Sequence, residues 1–73
     1  MLSKEKSNEL SQRVISVLSR ETLSKCSKIQ LQWMDKLMDQ SLEKVDNDPN
    51  QITNERILGI YEMVTEHLQP YDF

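Results

Sequence analysis

The stretch IQLQWMDKLMDQSLEKV, residues 29–45, constrains this chain more than any other. Wound at roughly 100° per residue, it sets Ile29, Trp33 and Leu37 on one strip. Leu31, Met34, Met38, Leu42 and Val45 fall on the strip beside it. Together the strips take more than half of the circumference, and Lys28, Gln32, Asp35, Lys36, Asp39 and Glu43 fill the rest. A surface helix needs an apolar stripe only a little over about 100° wide. A wider arc calls for neighbours on two sides, supplied either by the rest of the chain or by a partner.

The rest of the chain is short. Seventy-three residues make one domain, and a domain of this size buries a modest core that is often marginal alone. Oligomerisation is a common remedy. A single glycine, two prolines and few β-branched runs predict an all-α chain. Cys26 is the one cysteine, so no intramolecular disulfide can form. A free thiol suits a reducing compartment, and at this position it reads as a small buried hydrophobe. The opening MLSKEKSNEL lacks the apolar run of a signal peptide. No stretch approaches the ~18 apolar residues of a membrane span. The expected location is cytoplasmic, with no membrane contact.

Three helices are expected. The first starts near Ser3 or Ser7, either of which could cap it, and runs to about residue 18 with Leu10, Val14, Val17 and Leu18 on one face. The polar stretch 19–23 predicts a break or kink, the alternative being one helix from about 7 to 45. The central helix then runs from about Leu23 to Val45. Asp46-Asn47-Asp48-Pro49-Asn50 is the clearest punctuation in the chain. Asp48, with Pro49 behind it, can cap a third helix, and Thr53 offers a second start. This helix spans about 49–68, with Ile57, Ile60, Tyr61, Val64 and Leu68 as its core face and Ile52 and Met63 at an edge. A tail, 69–73, cannot extend it past Pro70. The short connection predicts that the second and third helices form an antiparallel hairpin with the first packed across them.

The residues that could carry chemistry do not assemble into a site. Glu62, Glu66 and His67 are near one another in sequence, but His67 lies about 100° round the helix from Glu66, and no second histidine exists. One glycine in the chain excludes a phosphate-binding loop. A serine or Cys26 would need a base, and His67 is the only imidazole. No catalytic residue, metal ligand or cofactor is assigned, and the chain is not expected to be an enzyme.

The function expected instead is protein binding: a small adaptor, inhibitor, chaperone or assembly subunit using the wide face of the central helix. Ile29, Trp33, Met34, Leu37 and Met38 are the candidate contact residues, with Tyr71 and Phe73 of the tail, which either fold back on the bundle or meet a partner. The expected partners are a second copy, giving a homodimer, and a further protein. The alternative is a small DNA-binding regulator. Residues 1–28 carry six basic and three acidic residues, a charge of +3, with Arg20, Lys25 and Lys28 near a potential helix-turn-helix. Residues 29–73 carry three basic and nine acidic residues, a charge of −6, and the whole chain is −3. That balance is unfavourable for phosphate binding.

Overall fold

A computed structural model of the chain describes residues 4–67. Among these residues there are four helices and no strand: α1 (Lys4–Leu18), α2 (Arg20–Ser24), α3 (Lys28–Lys44) and α4 (Asn54–His67). A single 3-10 turn, Pro49–Gln51, precedes α4. No described helix is long and apolar enough to cross a membrane.

The break after α1 falls on one residue. The Ser19 N–H still closes the last turn of α1 by donating to the Ile15 carbonyl at 2.8 Å. Its backbone then turns to φ 74°, ψ 153°, a region that is strained for any residue but glycine. From there its Oγ accepts the Thr22 N–H at 3.2 Å and caps α2. Ser7, an expected cap for the first helix, lies inside α1 instead and donates from Oγ to Asp39 Oδ1 at 3.3 Å. Ser3, the other candidate, lies outside the described residues.

The central helix is shorter than its apolar periodicity predicts. It opens at Lys28, not near Leu23, and residues 20–24 form a helix of their own. The cause is a capping box. Ser27 Oγ accepts the Gln30 N–H at 3.1 Å, and Gln30 Oε1 accepts the Ser27 N–H at 2.8 Å. Two donors at the start of α3 are thereby satisfied locally, which a continuous helix through Ser27 would not allow.

At its other end α3 closes with crossed bonds. The Asn47 N–H donates to the Leu42 carbonyl at 2.9 Å, and the Asp46 N–H to the Glu43 carbonyl at 3.4 Å. This Schellman-type end requires positive φ, and Asp46 (56°) and Asn47 (60°) provide it. Asn and Asp enter that region more readily than other side chains. Both candidate caps downstream are then used in series. Asp48 accepts the Asn50 N–H at 3.1 Å and starts the 3-10 turn. Thr53 Oγ1 accepts the Arg56 N–H at 3.1 Å at the start of α4.

The core is built from all three long helices. Leu10 and Leu18 come from α1, Met34, Met38 and Leu42 from α3, and Ile57, Ile60 and Val64 from α4. Ile52, read from the sequence as an edge residue, is only 3% exposed, and Met63, paired with it at that edge, points out at 44%. Each fully buried aliphatic side chain contributes about 1.5–3 kcal/mol. Gln30 and Ser41 are also buried. α3 packs chiefly on α4, while α1 meets α4 and the 3-10 turn more extensively than it meets α3. Arg13 fastens that attachment. Its Nη1 donates to the Pro49 carbonyl at 2.6 Å and its Nη2 to Asn54 Oδ1 at 2.7 Å.

Candidate functional site

The expected contact residues of α3 do not lie on one surface. Met34 and Met38 are 3% and 4% exposed and belong to the chain's own core. They sit a helical turn apart on the ridge that Leu42 continues, and α1 and α4 close over that ridge. In this fold neither methionine is available to a partner. Leu37 is half-buried and packs on the core edge. Ile29 and Trp33 are 52% and 44% exposed. Tyr71 and Phe73, like Leu68, lie outside the described residues.

The central helix thus has a buried ridge and two apolar flanks. The outward flank carries Ile29, Trp33 and the edge of Leu37. Lys36 Nζ lies 4.9 Å from the centroid of the Trp33 ring, a cation–π contact that covers part of the indole. Beside Ile29, Trp33 and Leu37 along this flank stand Lys36, Gln40 and Lys44, with the Glu43 carboxylate at its border next to Lys36.

The second flank faces α1 across a groove of about 350 Å³. It is lined by Leu10, Val14 and Ile15 of α1, Leu23 of α2 and Leu31, Met34 and Met38 of α3, of which Leu10, Met34 and Met38 show almost no surface. Leu31 points towards the core side of α3, yet it is 40% exposed. α1 attaches mainly to α4 and the 3-10 turn, so it does not close over Leu31. The lip of the groove is polar: Ser7 and Ser11 on α1, Gln32, Asp35 and Asp39 on α3, and Lys28 at one end. Partial burial, reinforced by the charge of Asp39, pushes the Asp35 carboxyl above its ordinary value. Sequence reasoning placed Leu31, Asp35 and Asp39 on α3 but did not find the groove. The signal available was the adjacency of Leu31 and Met38 to two aspartates one turn apart.

The remaining candidates for chemistry are accounted for structurally. Cys26 is half-buried against the core. Its thiol donates to the Thr22 carbonyl at 3.6 Å, and burial pushes its pKa up, away from the reactive thiolate. Among the described residues no three of His, Cys, Asp and Glu come together as a metal would require. A second cavity of about 290 Å³ lies where α3 ends and α4 begins, beside Ser41, Lys44, Ile52 and Arg56. Arg56 Nη2 donates to Ser41 Oγ across its edge at 3.5 Å. Gly59 on α4 approaches nothing, because a Cβ built there meets no atom within 4 Å.

No protein-family model matches the chain, and neither the curated proteins nor the solved structures contain a significant match.

Proposed function

We propose that this chain is a non-catalytic protein-binding module (an adaptor, inhibitor, chaperone or assembly subunit) that pairs with a second copy through the outward flank of α3. In this reading α3 and α4 form an antiparallel hairpin, α1 packs across it, and the dimer covers what α1 leaves exposed. One observation carries the reading. The core closes without Trp33 or Ile29, which stand 44% and 52% exposed one turn apart on the same flank. A large aromatic with aliphatic neighbours is the usual anchor of an interface, and an uncovered apolar flank on so small a domain has a cost that pairing removes. Lys36 and Lys44 stand on this flank against a single bordering carboxylate, Glu43, so two copies can meet without a cluster of acids between them.

The DNA-binding alternative has less support. α2 spans five residues, and α3, the helix that would enter a groove, presents Asp35, Asp39 and Glu43. Arg13 is bonded to the Pro49 carbonyl and Asn54, and Lys25 Nζ lies 3.8 Å from the Glu21 carboxylate.

Sedimentation or light scattering at micromolar concentration tests the dimer. The expected result is twice the chain mass of 8.6 kDa, with Trp33 emission shifting to the blue as concentration rises. Trp33→Glu should give a folded monomer, and Leu58→Asp on α4 should leave the dimer intact. A wild-type chain that stays monomeric, with Trp33 emission independent of concentration, overturns the dimer.

A further inference from the structure

We propose that the groove between α1 and α3 docks a basic amphipathic helix from a different protein. The apolar face of that helix would lie over Val14, Ile15 and Leu31, with its Lys or Arg side chains against Asp35 and Asp39. This goes beyond the reading of the chain as a binding module and rests on it only in assuming a protein partner.

The shape of the groove is that of a missing helix. Its lining recurs at helical spacing on both walls: Ser7, Ser11 and Val14 on α1, and Lys28, Leu31 and Asp35 on α3. The trough therefore follows the two helices. From Lys28 to Asp35 it covers about 10 Å at the helical rise of 1.5 Å per residue, roughly two turns, and the Ser7–Asp39 hydrogen bond ties α1 to α3 at its far end. α4 covers the core from elsewhere, so a helix laid in the trough would complete a bundle. Apolar anchors at i, i+3, i+4 and i+7 are the recognition pattern such a trough reads.

Charge selects the occupant. Partial burial, and after it the charge of Asp39, works against the ionised Asp35 at the lip. A cation on the incoming helix offsets the repulsion and pairs with the carboxylate that docking buries further. A second copy docked here about a two-fold axis would do the reverse, because a two-fold interface brings the same patch of each copy together. The interface would then hold four carboxylates against two lysines, one Lys28 from each copy. The outward flank, where Lys36 and Lys44 outnumber the bordering Glu43, suits the second copy, and the groove suits a basic partner.

The test uses the full chain and a fluorescein-labelled synthetic helix about 18 residues long, with leucine at i, i+3, i+4 and i+7 and lysine elsewhere. A matched peptide carries glutamate in place of lysine. Fluorescence anisotropy should show saturable binding of the lysine peptide at micromolar chain concentration, with the glutamate peptide roughly tenfold weaker or worse. The double variant Asp35→Lys, Asp39→Lys should reverse that preference. Both positions are on the lip, so the variant should keep the wild-type circular dichroism spectrum, which is recorded alongside. Leu31→Glu should abolish binding, and Trp33→Glu should leave it unchanged. Equal binding of the two peptides, binding of neither, or binding lost in Trp33→Glu but kept in Leu31→Glu overturns the proposal. A dimer dissociated by Leu31→Glu but not by Trp33→Glu also overturns it, since a second copy would then fill the groove. A chain that binds neither peptide yet forms a dimer broken by Trp33→Glu overturns this proposal and leaves the binding module standing.

Discussion

The two flanks of α3 expose similar apolar material but differ in the charges beside it. On the outward flank Trp33 and Ile29 stand in water with Lys36 over the indole and Glu43 only at the border. On the groove flank Leu31 is about as exposed, with Asp35 and Asp39 along the lip. Exposed apolar area alone marks a surface as a contact site. The neighbouring charges determine which partners are tolerated, because juxtaposed like charges cost more than most apolar contacts return. One helix can thus present one flank to its own copy and the other to a different protein, provided that the ridge between them holds the fold.

The largest expected effect comes from attacking that ridge. Met34→Asp or Met38→Asp would bury an unpaired charge among Leu10, Leu42 and Ile57. Such a charge is among the few single changes expected to exceed about 4 kcal/mol, enough to unfold a domain this small. Loss of the cooperative thermal transition by circular dichroism is the expected result. Trp33→Glu and Leu31→Glu, on the flanks, should keep a cooperative transition. If the methionine variants melt like the flank variants, the ridge is not the core and the division of α3 into three surfaces is wrong.

Next in size is Arg13. Its two bonds tie α1 to the Pro49 carbonyl and Asn54, away from both flanks. Hydrogen bonds to charged groups contribute about 1.5–3 kcal/mol, so Arg13→Ala should lower stability in urea by about that amount. Arg13→Lys should recover only part of it, since lysine lacks the planar fork. The tie also positions α1 as one wall of the groove. Arg13→Ala should therefore weaken lysine-peptide binding while leaving the outward-flank dimer unchanged. Equal loss at both surfaces would mean that α1 supports the whole of α3 and not its groove flank alone.

How much of this was legible in the sequence depends on the kind of interaction. Periodicity placed Leu10, Leu18, Met34, Met38, Leu42, Ile57, Ile60 and Val64 on apolar helix faces, and all are buried. The all-helical class followed from composition. Periodicity could not say which part of a wide arc a short chain would cover, because that depends on the divergence of α1 from α3. Met34 and Trp33 are adjacent in sequence and equally apolar in pattern, yet one is core and the other surface. The end of α1 was legible to within a few residues, but its cause, the positive φ of Ser19, was not, since serine does not favour that conformation. The Ser27–Gln30 capping box stands in the sequence as SKIQ, but the apolar period that runs through it from Leu23 masks it. The bonds of Arg13 span 36 and 41 residues, and no local pattern reports them.

A third effect is smaller and can be of either sign. Ser19 combines a strained backbone with a useful cap on α2, whose own Leu23 lines the groove. Glycine removes the strain, about 1–3 kcal/mol, and as an N-cap loses only a few tenths. Ser19→Gly should therefore raise the melting midpoint. Ser19→Ala keeps the strain and loses the cap, and should lower stability by about 0.5–2 kcal/mol. Opposite shifts from two such similar substitutions are hard to produce by any route other than the backbone. Shifts of the same sign would remove the strain from the account.

The smallest effect distinguishes the groove flank electrostatically, through Asp35. Burial first, and then the charge of Asp39, hold its carboxyl above the ordinary value. The folded chain therefore binds that proton more tightly than the unfolded chain does. Where the folded state holds more protons, stability falls as pH rises, here from the ordinary aspartate value of about 3.9 up through the raised one. At neutral pH the charged Asp35 is a net cost. Asp35→Asn should stabilise the free chain at pH 7 by about 0.5 kcal/mol or less, the range of surface substitutions. The gain should vanish below the ordinary aspartate value, where the wild-type carboxyl is protonated in both states. Asp48 provides a control of opposite sign. Its carboxylate accepts hydrogen bonds from the Gln51 side chain and the Asn50 N–H, which pull its value down. Its contribution is present above the ordinary value and fades as pH falls through the lowered one, so Asp48→Asn should destabilise at pH 7 and matter little in acid. Bound lysine peptide should reverse the first result alone, making Asp35→Asn the weaker binder although it is the more stable chain. Thermal melts of both variants at pH 7 and near pH 3, with and without the peptide, read all of these signs. A gain for Asp35→Asn that is the same at both pH values would show that its origin is not the charge, and the electrostatic distinction between the two flanks would fall with it.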